Sequence, residues 1–253
     1  MAAVGQPQTV ITPLLYGADG LPIPNTDGGS PIQQRGSRRG EAFVLNIVPH
    51  MGEASDDQSY FQTTTPTIGT AVTYGLQTAF SDVAGFMHIW NNDVPGGKRI
   101  ILHQLGLICV IVGASATGVD FAIKMDTLPR IPTANASAIT PVNTRSGSKI
   151  GSIAQVYIPL AGIPTMPAAS AQARIIDRGR LRMTIPLAGD EYGLNFGAVD
   201  GTGPMAGTAV GRYVANVSPV TIDPGHSCTI YLWEPAVATT SPTFEISMGH
   251  IER

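Results

Sequence analysis

Five histidines, two cysteines and two pairs of neighbouring acids are the side chains best suited to chemistry in this 253-residue chain. His50, His88, His103, His226 and His250 are far apart in sequence, with no metal-ligand spacing among them. Cys109 and Cys228 lie in apolar, strand-like runs, where they read as two buried free thiols. Asp56-Asp57 and Asp190-Glu191 read as solvated turn carboxylates; calcium is the ion they would take, but neither pair has an EF-hand pattern. Gly113-Ala114-Ser115-Ala116-Thr117-Gly118 has the wrong spacing for a nucleophile elbow. Gly201 to Gly207 lacks the lysine and the following helix of a phosphate loop. These patterns assign no catalytic residue, no cofactor and no metal ligand, and the expectation is a chain that is not an enzyme.

Arginine is used unevenly. It supplies 12 of the 15 basic residues, and four fall between Arg174 and Arg182. A second cluster, Arg35-Gly36-Ser37-Arg38-Arg39-Gly40, closes a proline-rich opening segment. Arginine favours planar, two-point contacts with carboxylates and is enriched at protein interfaces. Arg35, Arg38, Arg39, Arg174, Arg178 and Arg180 are therefore the interface candidates. The alternatives for the 174–182 group are a solvated strand edge and a nucleic-acid patch. Asp177 within it, the lack of interleaved aromatics and a net charge of −3 speak against nucleic acid. One further cluster, Trp90-Asn91-Asn92-Asp93, has the ring, amides and acid of a glycan platform; a core tryptophan beside a turn is its plainer account.

The elements that hold these residues follow from composition and period. Charged residues are only 13% of the chain, while Gly and Pro together number 49, which disfavours helices. A chain so poor in charge must cover apolar surface against a partner or another copy. The longest near-apolar run, Ile100 to Val112, is too short for a bilayer span. The opening residues have neither the basic nor the apolar region of a secretory leader.

Residues 1–40 read as an extended arm and 41–253 as a β-domain. Alternation marks strands at Val119–Met125, Leu181–Ile185, Thr243–Met248 and His226–Trp233. Phe43–Val48, Phe86–Trp90 and Val156–Leu160 are further candidates. Arg99–Val112 reads as a long strand buried on both faces, with Gly106 as its bend or bulge; Asp at Leu107 or at Ile108 would then prevent folding. Turns are expected at Asn91–Gly97, Ala188–Asp190 and Asp223–Gly225, and at an exposed turn around Gly179. Ala168–Ile176 is the one candidate short helix. Thr127–Lys149 and Gly197–Gly211 read as long loops suited to packing on a neighbour. Many short strands with Gly/Pro turns predict an all-β, jelly-roll-like β-sandwich with an extended N-terminal arm.

Ser59-Tyr60-Phe61-Gln62-Thr63-Thr64-Thr65-Pro66-Thr67-Ile68-Gly69-Thr70-Ala71 resembles a segment of tailed-bacteriophage virion proteins. Val220–Ser227, Tyr231–Pro235 and the ending Pro242–Arg253 are similar to the close of small phage structural proteins. The resemblance covers about residues 40–80 and 215–253 and includes no catalytic residue. It implies a capsid decoration or cement protein that resides in the virion, assembles in the host cytoplasm, and contacts the major capsid protein or other virion proteins. It also implies a homo-oligomer, a trimer first, without membrane or direct nucleic-acid contact. The alternative is a tail, head-fibre or adsorption component that binds a host surface glycan.

Overall fold

The structure is a computed structural model. It describes the backbone of residues 33–36 and 42–45, and residues 54–253 except 56, 68, 70, 73–76, 114–117, 161, 183–185, 198–211 and 236–241. The chain divides into two units at Glu53/Ala54. In the first, β1 (Gln33–Gly36) pairs antiparallel with β2 (Ala42–Leu45), Gln33 opposite Leu45 and Gly36 opposite Ala42.

The second unit is all-β among its named elements. Its strands are β3 (Tyr60–Thr64), β4 (Met87–Asn91), β5 (Ile100–Ile111), β6 (Val119–Asp126), β7 (Ala136–Ile139), β8 (Val142–Asn143) and β9 (Ala154–Pro159). They are followed by β10 (Arg174–Arg182), β11 (Glu191–Phe196), β12 (Arg212–Val217), β13 (Thr221–Ile222), β14 (Ser227–Trp233) and β15 (Thr243–Glu252). One sheet runs β10-β6-β14-β4-β9-β7; the other runs β12-β11-β5-β15-β3-β8, with β13 also on β5.

Stripped of additions, the sheets are β3-β15-β5-β11 and β4-β14-β6-β10, all antiparallel. The chain of these eight strands crosses between them at β3–β4, β4–β5, β5–β6, β10–β11, β11–β14 and β14–β15. This is the double Greek-key winding of a jelly roll. The winding brings the last two strands into the middle of the two sheets, so the C-terminal residues are among the most buried. Met87, Ile89, Ile123, Cys228 and Ile230 from one sheet meet Leu105, Leu107, Leu194, Phe244 and Ile246 from the other in a single core. Cys109 and Cys228 form no disulfide and are buried within it, and burial pushes the Cys228 thiol up to about 12.

Several expectations are corrected. Strand β5 is buried on one face, not both: Leu102, Leu105, Leu107 and Cys109 point into the core, while Ile108 is 40% exposed. Its irregularity is also not at Gly106, which pairs regularly with Gly193 and Ser247. The register slips at His103, between Gln104 opposite Gly249 and Leu102 opposite His250, and again at Val110, between Cys109 opposite Phe244 and Ile111 opposite Thr243. The extra residue at His103 carries the inward-facing series from Leu102 to Leu105.

The expected loop 127–149 contains β7 and β8, which lengthen the two sheets at their β4 and β3 sides, β7 by way of β9. The expected helix at 168–176 is a turn leading into β10. Asp126 accepts a hydrogen bond from the Ser170 amide (3.0 Å), and the Ala173 amide closes on the Ser170 carbonyl (3.2 Å). Ile175 then pairs with Lys124. Nor is there a turn at Gly179. It lies within β10 opposite Phe121, and a Cβ there would stand 2.8 Å from the phenyl ring. The loop expected at 197–211 and the end of the strand expected at 181–185 lie almost wholly outside the described residues.

Candidate functional site

The arginines expected at an interface fall in two places where they are described. Arg35 lies in β1, and Arg38 and Arg39 lie outside the described residues. Arg174, Arg178 and Arg180 are exposed on β10, which ends its sheet. Arg180 grips Asp120 of β6 through Nε, with Nη2 at 3.2 Å from the second carboxylate oxygen. Asp177 accepts hydrogen bonds from the Arg178 amide (2.8 Å) and the Ser218 amide (2.7 Å), tying β10 to the segment after β12. This edge is thus a charged ladder facing outward.

Arg130, within the expected loop 127–149, is an internal residue with 1% of its surface exposed. Nη1 donates to the Tyr231 hydroxyl (2.6 Å), Nη2 to the carbonyl of Pro167 (2.7 Å), and Nε to the same carbonyl (3.1 Å). Asp82 and Asp126 lie at 3.5 and 3.9 Å. Burial alone would raise both acids, but for Asp82 the bond from Lys124 and the Arg130 charge outweigh it. Ser170 and Leu128 do the same for Asp126, so both stay below the ordinary carboxylate range.

Asp190, expected in solvent, is fully buried and accepts from the Tyr192 hydroxyl (2.9 Å) and the Leu187 amide (2.8 Å). Of the other acidic pair, Asp56 lies outside the described residues. No group of three metal-ligating side chains occurs among the described residues. At the Trp90 cluster, Asn91 is buried and donates to the carbonyls of Lys98 (2.8 Å) and Ile222 (2.9 Å). Asp93 accepts from the Val94 and Lys98 amides. These groups build the 91–98 turn.

An open concavity lies elsewhere, on the outer face of the β3-β15-β5-β11 sheet, where a groove of about 350 Å³ crosses the strands. Register builds it. Gly193, Gly106, Ser247 and Thr64 stand side by side as its floor. One rim is the row Glu191, Ile108 and Glu245; the other begins with Asn195 opposite Gln104. Ser247 is held by Gln62 Nε2 (2.6 Å), and Glu245 accepts a hydrogen bond from the Gly69 amide. The sequence carried one sign of the groove, glycines inside two strands; that they lie side by side is a fact of register alone.

Compared with known family models, curated proteins and solved structures, the chain matches none.

Proposed function

We propose that this chain is a non-catalytic structural subunit of a phage particle, of the capsid decoration or cement kind, acting through contacts with neighbouring virion proteins. The observation that carries the reading is where the sandwich leaves aliphatic side chains uncovered. Leu128, Val142, Leu160 and Ile175 are all more than a third exposed, and they lie on the insert between β6 and β10 and on the β10 edge itself, whereas the exposed Ile108 lines the groove. Apolar side chains on the flanks of a subunit suit lateral burial against neighbours. The 59–71 and C-terminal likeness to phage structural proteins supports the same reading, and those residues form β3 and the two central strands β14 and β15.

The mechanism is cohesive. Each standard interface buries roughly 1,600 Å², and several per subunit raise the free energy needed to separate the lattice. Mass spectrometry of particles purified from the source that encodes the chain tests it. The expected result is the chain at a fixed, high copy number per particle, retained through washing. Its absence from purified particles overturns the reading.

A further inference from the structure

We propose that the groove on the outer face of the β3-β15-β5-β11 sheet is a carbohydrate site for a neutral oligosaccharide. Glycine in a strand interior weakens the strand and marks a bulge, a bend, or close approach by a ligand or another backbone. Gly106 and Gly193 sit side by side in regular register, so neither is a bulge. Neither adopts a positive φ. At Gly106 a Cβ would meet nothing closer than 3.6 Å. The fold itself therefore leaves room for a side chain there, and the space is kept open on the solvent side.

The walls say what enters. β5 is hydrogen-bonded on both sides, to β11 and to β15, so the floor has no free backbone edge to receive a peptide as an added strand. A ligand must be held by side chains. Gln104 and Asn195 project from the floor's neighbouring row, and neither amide makes a hydrogen bond among the described residues. Amides donate and accept at once, which matches hydroxyl groups. Glu245 on the opposite rim, which takes the Gly69 amide through Oε1, turns its second carboxylate oxygen to an adjacent hydroxyl. The floor at Gly106 offers a flat surface to the C–H face of a sugar ring, and Val214 of β12, 3.4 Å from where a Cβ of Gly193 would stand, gives the floor an apolar end. The volume is at the small end of ligand sites, enough for about one or two rings.

The test uses the full-length chain and a panel of neutral oligosaccharides built from glucose, galactose, mannose and N-acetylhexosamines, read by calorimetry. A lysine- and arginine-rich peptide is the competing probe. Binding of at least one oligosaccharide is expected. The affinity should fall about tenfold or more in Gly106→Val, which fills the groove, and in the Gln104→Ala/Asn195→Ala pair, which strips its partners. Circular dichroism and melting of the amide pair should match wild type. Failure of the whole panel overturns the proposal, as does oligosaccharide binding untouched by the amide pair. So does binding of the basic peptide alone, which would make the rim carboxylates a cation-recognising surface. Incorporation of the amide-pair variant into particles is scored separately, so loss of the sugar site and loss of the structural role are distinguishable.

Discussion

At the residue scale, the sandwich is fastened by polar groups that the sequence showed only as scattered charges. Arg130 joins the insert, the 163–170 segment, the turn at Asp82 and strand β14 through one guanidinium. Nothing in Leu128-Pro129-Arg130-Ile131 announces burial; it depends on Pro167 and Tyr231, 37 and 101 residues away. Arg130→Ala leaves buried acceptors unpaired and should cost about 3–5 kcal/mol in denaturant unfolding.

Two buried titrating groups give a pH signature. Burial, aided by the Arg130 charge, pushes His88 down to about 3, whereas in the unfolded chain it titrates near 6.5. The unfolded state then binds the proton between these values, so His88 removes stability as pH falls from about 6.5 to 3. Burial pushes Glu234 up to about 7 from 4.5, and neither carboxylate oxygen has a partner among the described residues. The folded state there holds the proton longer, so Glu234 removes stability as pH rises from 4.5 through 7. The two oppose each other between 4.5 and 6.5. Melting curves should show Glu234→Gln gaining stability with pH across that window and His88→Leu losing it. Identical slopes in the two variants would contradict both assignments.

At the element scale, β5 shows what periodicity can and cannot give. Its length and strand character were plain from Ile100–Val112. Its sidedness was hidden, because Ile101 packs against Tyr60 and Ile251 on the outer face and Ile108 forms the groove rim. An apolar run cannot tell those surfaces from a core. Leu107→Asp, into the core, should cost several kcal/mol and abolish folding. Ile108→Asp, one residue on, should cost under about 1 kcal/mol; chemical denaturation of the pair checks it.

On β10, pairing replaces the turn expected from Gly179. Gly179→Val would push against the Phe121 ring and should cost about 1–3 kcal/mol. The Arg178→Glu/Arg180→Glu double variant should keep its stability to within about 1 kcal/mol, since exposed pairs contribute little. If that edge meets a neighbour, it would still fail to join particles.

At the scale of the whole molecule, strand count and turn chemistry were enough to name the winding. Turns at 91–97, 188–190 and 223–225 are where they were expected, and Gly96, Gly189 and Gly225 take the positive φ those turns need. Which strand joins which sheet was not legible. A jelly roll pairs residues as far apart as Gln62 and Gly249, and no local pattern encodes such a distance. Neither sheet of 54–253 contains a strand from the first unit. A chain beginning at Ala54 should therefore still fold and keep a β-sheet dichroism spectrum.

The most direct test of the proposed role is a reconstruction of the purified particle at a resolution that separates strands. The account predicts an eight-stranded jelly roll repeated on the particle, its β10 edge and insert seated against neighbouring subunits. Particles whose density is fully explained without such a sandwich would contradict it.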